Sequence, residues 1–457
     1  MLAWSAGEAT PRAMAVRRWL AAIALALALA IPTIARAQSS VAAPAPVPGE
    51  QTAAEALAQD ATAYAAFAGL GQGEAERRLR AQEASVAVTD ALRAEFADRL
   101  AGIAIEQRPD FHLAVLLTGD APVADRLVGA GAAVVPVVFR TGAGASLAQV
   151  RAALAAHQAD IRAALAHPPG MGIDQRTGEL VVVVAAADLA SEEAPVMAAR
   201  LGAIAGVPVR VRSIDRPGLD QAAAVPAGAG DGVEGGMRLV GSIAGDGHRY
   251  LCTAGFVVSD GVRLGIATAA HCPDTLSYID AARREHPLPF VGQWGWGYQD
   301  VQINLADQPL AAAFFVDTAR RVSRPVEGQR GAGGMRAGDV LCHRGERTGY
   351  SCGTVELTDF APAGDLCGGA CSPTWLTVVG PHCGGGDSGS PVFVGTVALG
   401  LLKGGSYRAD GSCGFYFYMS VDYLPPPWHL LRAPPSSGLP PAALPATAAS
   451  STGGVAR

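Results

Sequence analysis

The chain has 457 residues, half of them hydrophobic, and a formal net charge of −6. That length predicts two or three domains, and the apolar fraction is enough to bury a sizeable core. An acidic balance with no long basic run argues against nucleic acid as a partner.

Arg17 and Arg18 precede an apolar run, WLAAIALALALAI, that stops at Pro32. Ala35 and Ala37 then take the small positions before a cleavage point. A basic start, a short apolar core and A-x-A predict a signal peptide over residues 1–37. The run is shorter than the roughly 20 residues that span a bilayer, which disfavours the alternative of a retained anchor. No membrane contact is expected after signal cleavage. Residues 38–52, rich in Pro and Ala, read as a linker.

From Ala53 to Ile105 the chain is rich in Ala, Glu and Arg with few breakers, which predicts one or two helices. The texture then alternates. HLAVLL reads as a strand, APVADRLVGAG as a helix and AVVPVVF as a strand. SLAQVRAALAAHQADIRAALAH reads as a long helix, GELVVVVAA as a strand, SEEAPVMAARLGAIAG as a helix and VPVRVRSI as a strand. Residues 53–215 are therefore expected to form an α+β module, with no cluster of catalytic residue types. Residues 216–234, rich in Gly, Ala and Pro, predict a flexible linker, which is expected to hold the maturation site.

From 235 to 424 the pattern changes to short β-like runs between Gly-rich turns, such as GFVVSD, RLGIATAA, VQINLA, TWLTVVG and TVALGLL. This predicts an all-β barrel or sandwich. Residues 425–457, rich in Pro, Ala and Ser, predict a disordered tail. All eight cysteines fall in the β-rich part. An even number in an exported chain predicts disulfides, although spacing alone does not choose the pairing. A zinc site built from Cys367, Cys371, Cys383 and His382 is the competing reading, but its spacing matches no usual finger. No metal or other cofactor is expected.

Two stretches carry chemistry. GIATAAHCPD (Gly265–Asp274) ends an apolar run on His-Cys, and CGGGDSGSP (Cys383–Pro391) sets Asp-Ser among glycines. A serine hydroxyl is a poor nucleophile at neutral pH. It needs a histidine to take its proton and a carboxylate to fix the imidazole tautomer. The β-rich part offers these in the order His271, Asp300, Ser388, with Asp307 and Asp317 as rival carboxylates. The α/β-hydrolases use another order, and Ser388 fails their G-x-S-x-G motif because position 390 is Ser. Glycines around Ser388 would let the N–H groups of Gly386 and Ser388 converge on one point, as an oxyanion hole requires. A core histidine beside a disulfide and a polar loop tip are the plain alternatives for His271 and Ser388.

TAAHC at Thr268–Cys272 and GDSGSP at Gly386–Pro391 resemble the two signature segments of chymotrypsin-like serine proteases, over about Gly235 to Leu424. The likeness points to the bacterial streptogrisin and α-lytic endopeptidase branch. CHRGERTGYSCGTV, from Cys342, resembles that branch's disulfide-closed loop. The resemblance implies an all-β double β-barrel (chymotrypsin-like) protease domain preceded by an α+β pro-region. It implies Ser388 as nucleophile, His271 as general base and then acid, and Asp300 as the orienting carboxylate. It implies the pairs Cys252–Cys272, Cys342–Cys352 and Cys383–Cys413, leaving Cys367 with Cys371. It also implies that Asp387 is a buried, non-catalytic partner of the oxyanion loop, with Arg344 as the candidate cation beside it.

The chain departs from that family at one place. The strand after the nucleophile usually ends in Ser-Gly-Gly, whose serine touches the catalytic Asp; here Lys403, Gly404 and Gly405 stand there. The specificity pocket is expected from these three residues with His382, Phe415 and Tyr416. No aspartate is among them, which argues against cleavage after Lys or Arg. Phe415 and Tyr416 suggest an apolar floor, and His382 and Lys403 leave a case for acidic side chains. The expectation is a secreted or periplasmic monomeric serine endopeptidase acting on polypeptides, with its own pro-region as inhibitor and folding aid. The alternative is a catalytically inactive relative that binds peptides or partners, favoured only by Lys403.

Overall fold

The computed structural model describes residues 49–130, 133–214, 223–225, 238–280, 283–307, 309–317, 319–380 and 382–435. The expected signal peptide, residues 38–48 of the 38–52 linker, most of the 216–234 linker and residues 436–457 of the expected tail lie outside those residues. Residues 425–435, expected as part of a disordered tail, are instead packed on the β domain, with Trp428 and Leu430 buried and His429–Leu430 in a strand.

The N-terminal module begins with three helices rather than one or two: α1 (Ala53–Ala68), α2 (Gln72–Ala84) and α3 (Val86–Glu95). Thr52 and Glu55 cap the start of α1 reciprocally, and Gly69 closes it in the left-handed conformation. The end of the expected helical stretch is instead strand β1 (Leu100–Glu106), six of whose seven residues are buried. LAGIAI has no polar face, so it suits a strand covered on both sides better than an amphipathic helix. β1 pairs with β2 (His112–Thr118). A second correction follows at once. APVADRLVGAG forms no helix but contributes β3 (Arg126–Ala130), which hairpins with β4 (Ala133–Ala143). The adjacent Val-rich strand offers a ladder of hydrogen bonds that outweighs a weak helical preference. These strands form one sheet in the order β1-β2-β4-β3.

α4 (Leu147–Ala163), started by a Ser146–Gln149 capping box, and α5 (Ala194–Ala205) pack on a second sheet. That sheet holds β5 (Gly170–Asp174), β6 (Glu179–Ala185) and β7 (Val209–Ile214).

The remainder is β-structure. The first half runs β8 (Ala223–Val225), β9 (Arg238–Ser242), β10 (Arg249–Thr253), β11 (Val257–Ser259), β12 (Leu264–Thr268), β13 (Thr275–Ile279), β14 (Glu285–Leu288), β15 (Phe290–Trp294) and β16 (Val301–Leu305). Two five-stranded sheets result, β14-β13-β9-β10-β8 and β15-β16-β12-β11-β27, where β27 is His429–Leu430. They enclose Leu239, Ile266, Leu276 and Leu288. A short hairpin, β17 (Ala313–Phe315) with β18 (Ser323–Pro325), leads into the second half. There β19 (Gly328–Gln329), β20 (Val340–Gly345), β21 (Gly349–Val355), β22 (Thr358–Ala361), β23 (Leu376–Val379), β24 (Pro391–Val394), β25 (Val397–Tyr407) and β26 (Cys413–Ser420) follow. The order β25-β24-β20-β21-β23-β26 closes on itself through β25–β26 pairing, so this half is a barrel without free edges. The double β-barrel architecture expected from the sequence is the one observed.

The module and the β domain share structure. β22 pairs with β5, extending the module's second sheet to β22-β5-β6-β7. Val181 and Val183 of β6 lie in one apolar cluster with Phe360, Phe415 and Phe417 of the β domain. Gln82 of α2 exchanges two hydrogen bonds with the backbone of Val340, at 2.9 and 2.7 Å. Fully buried Arg336 donates to Ser85 and Thr89 of the helical layer.

Candidate active site

Each half of the β domain contributes to one site. His271 follows β12, and Asp300 precedes β16, its hydrogen-bonded neighbour in the same sheet. Ser388 lies in the tight loop before β24 of the closed barrel. His271 Nδ1 is 2.9 Å from Asp300 Oδ2, and its Nε2 is 2.8 Å from Ser388 Oγ. The His271 backbone N–H also donates to Asp300 Oδ1 at 3.2 Å. The carboxylate is thus held at both oxygens, and the imidazole is fixed with one nitrogen toward each partner. Asp317, a rival carboxylate, accepts instead from the backbone N–H groups of Arg321 and Val322, which closes its own loop. Asp307 takes no part in the contacts of His271.

Burial pushes the Asp300 carboxyl up, but the Lys403 ammonium and His271 outweigh it and hold the group well below the usual carboxylate range. Lys403 Nζ lies 3.3 Å from Asp300 Oδ2 and 5.1 Å from the centre of the buried Trp375 ring. Lys403 is therefore not in the pocket where the sequence placed it. A β-bulge between Leu402 and Gly404 inserts it as an extra residue in β25 and turns its side chain toward the histidine side.

The nucleophile loop is shaped by its glycines. Gly386 and Gly389 have φ of +107° and +84°. A Cβ on Gly389 would come within 2.1 Å of Thr268 Oγ1, so no other residue fits there. Among the described residues, neither the Gly386 nor the Ser388 N–H has a protein acceptor. That leaves both donors for an incoming oxygen. The loop is anchored behind by Asp387, whose carboxylate accepts from the N–H groups of Gly384, Arg347 and Thr348 and from the Thr348 hydroxyl. Arg344, expected as the partner of Asp387, pairs with Glu346 at 3.3 Å instead. The turn 346–348 brings backbone donors closer to Asp387 than the guanidinium, so hydrogen bonds replace the ion pair. Thr348 carried no sequence signal for this role.

All four disulfides implied by the resemblance are formed: Cys252–Cys272, Cys342–Cys352, Cys367–Cys371 and Cys383–Cys413. The cysteines of the competing zinc reading are therefore used up. Two of the bonds bracket the site, one tying β10 to the histidine loop and one tying the nucleophile loop to β26.

Of the remaining expected pocket residues, Gly405 and Phe415 line a small cleft with Ser406, Phe417 and, from the N-terminal module, Val183 and Ile214. Gly404 is buried in the same strand. Tyr416 departs from expectation. Side chains alternate along β26, so Phe415 and Phe417 face the cleft while Tyr416 turns inward, edge-on to His343. His382 is exposed at the surface.

Two barrels with a His-Asp-Ser constellation where they meet define the chymotrypsin-like class of serine protease, and the chain resembles the bacterial members of that class, as its two motifs implied. It is 25% identical over 196 residues to Streptogrisin-C of Streptomyces griseus, a match that spans 39% of this chain and 39% of that protein. Protease A of Thermobifida fusca is 20% identical, with 44% of this chain and all of that one covered and a TM-score of 0.34. A Cellulomonas bogoriensis chymotrypsin is 22% identical, over 44% of this chain and 99% of that one, with a TM-score of 0.33. No protein-family model matches the chain.

Proposed function

We propose that this protein is an exported serine endopeptidase whose N-terminal module is a pro-region. The observation that carries the reading is the continuous path Asp300–His271–Ser388, both links within 2.9 Å. Ser388 attacks the peptide carbonyl while His271 takes its proton. The N–H groups of Gly386 and Ser388 stabilise the oxyanion, and His271 then protonates the leaving amine. Water releases the acyl group by the same steps in reverse. An intact relay with free oxyanion donors gives no support to the inactive-relative reading.

An apolar cleft with Phe415 and Phe417 and no carboxylate in its lining supports cleavage after apolar or aromatic residues. His382 lies at the surface and Lys403 is committed to Asp300, so neither supplies a cation for acidic side chains. The covalent bridges and the resemblance to an exported branch support secretion. Among the described residues no helix is long and apolar enough to cross a membrane.

Two flanks support the pro-region role. β7 ends at Ile214 beside Gly405 and Ser406, and β8 pairs with β10 at Leu251. Leu251 abuts Gly386, and Thr253 donates to the Ser388 carbonyl at 2.9 Å. Maturation is proposed to cut the linker between about Arg216 and Gly236. The test is labelling by a fluorophosphonate and peptide hydrolysis, with Ser388→Ala as the control. The expected result is a labelled wild type and a variant down by several orders of magnitude yet still folded. Near-wild-type turnover in Ser388→Ala, or an unlabelled wild type, defeats the reading.

A further inference from the structure

Lys403 is the feature that the resemblance leaves unexplained. It is 5% exposed and sits in a barrel strand among apolar neighbours. A lysine is rarely buried unless paired, since an unpaired ammonium loses several kcal/mol of hydration. Its partner is the carboxylate that orients the general base. Three features aim it there. The bulge at Leu402/Gly404 removes Lys403 from the regular side-chain alternation. Trp375, fully buried, lies under the ammonium. The Asp300 backbone N–H is taken by Met419 Sδ at 3.2 Å, which fixes the other side of the aspartate.

We propose, resting on the protease reading above, that Lys403 is a positioning residue that clamps the Asp300 carboxylate and sets the acid end of the enzyme's working range. Asp300 Oδ2 is shared between His271 Nδ1 and Lys403 Nζ, at 2.9 and 3.3 Å. The two nitrogens therefore lie within about 6 Å of each other. When His271 takes the Ser388 proton it becomes a cation facing Asp300 and Lys403 together. The carboxylate attracts that cation and the ammonium repels it. A hydroxyl at position 403 would hold the carboxylate without repelling the imidazolium. The other charged groups nearby are occupied elsewhere. Asp387 is bound by the 346–348 turn, Asp274 on the histidine loop accepts from Gln293 at the surface, and Trp375 and Met419 are neutral. With an effective dielectric constant of about 20, a unit charge about 6 Å away is worth about two pH units before solvent screening. Partial exposure of His271, a quarter of its side chain, reduces this to about one.

The consequence is an enzyme whose activity reaches further into acid than it would with a neutral residue at 403. The experiment is the rate of fluorophosphonate labelling of Ser388 from about pH 4 to about pH 9, on active enzyme purified from cells making the full chain. Wild type is compared with Lys403→Met, Lys403→Ser and Lys403→Arg, each checked for folding by circular dichroism. The expected result is an acid-limb midpoint about one pH unit higher in the Met and Ser variants and close to wild type in Arg. Should Met fail to fold, Ser carries the comparison. A folded Met or Ser variant whose rate falls equally at every pH, with the midpoint unmoved or lowered, overturns the proposal and leaves Lys403 a packing element. A wild type that is never labelled strikes the protease reading instead, so the two failures are told apart.

Discussion

Asp60, on α1 of the N-terminal module, is buried entirely against the β domain. Its Oδ1 accepts from Arg324 Nη1 at 2.7 Å and from the Tyr350 hydroxyl, and its Oδ2 accepts from the Gly395 N–H at 2.5 Å. Both members of the ion pair are fully shielded from solvent. Asp60→Ala removes the only negative charge paired with Arg324 among the described residues. The guanidinium would remain buried with neutral acceptors: Gln51, Gln59, and the carbonyls of Ala56 and Gly395. Stripping one member from a buried pair costs about 3–5 kcal/mol, chiefly because the other charge is left uncompensated. Replacing both with apolar residues of similar size costs much less, so Asp60→Leu with Arg324→Met should recover about 2 kcal/mol or more of that loss. The assay is urea unfolding of the full chain in a Ser388→Ala background, which prevents self-digestion. An Asp60→Ala chain within about 1 kcal/mol of its parent, or a double variant no more stable than Asp60→Ala, would refute the account of this contact. The same loss on the module side alone should speed release of the proposed pro-region.

Two further outcomes follow from the site. His343 is fully buried, and burial pushes its imidazole down to about 4 against the pull of Asp387. A histidine in the unfolded chain titrates near about 6.5. Between these values the unfolded state binds the extra proton, so stability is complete above about pH 6.5 and falls as pH drops toward about 4, by about 3 kcal/mol. In the same inactive background, His343→Phe should flatten that slope; an unchanged slope assigns acid sensitivity elsewhere. Cleavage-site profiling of mature enzyme should show a graded preference for apolar or aromatic residues before the cut bond, since each well-filled methylene is worth only about 1–3 kcal/mol. Dominant cleavage after Glu or Asp would contradict the commitment of Lys403 to Asp300, and dominant cleavage after Lys or Arg would contradict the apolar cleft.

What the sequence determined by itself is what local spacing encodes. The capping boxes at Thr52 and Ser146 fix where helices start, because cap and partner are three residues apart. The long helix α4 and the Val-rich β6 follow from period alone. His271 and Ser388 were legible because each sits in a short motif whose glycines, cysteine and small residues have a stereochemical purpose. Tertiary structure decided what depends on partners far along the chain. LAGIAI and RLVGA became strands because neighbouring strands supplied hydrogen bonds that no local window contains. Lys403 faces Asp300, 103 residues earlier, because of a bulge whose register only the folded sheet sets. Asp387 took backbone donors over Arg344 because a turn, not a charge, lies nearest to it. Asp60 and Arg324 are 264 residues apart, and nothing local marks either as half of a pair. Buried charge is stable only where its counter-charge also arrives, and that meeting is a property of the assembled fold.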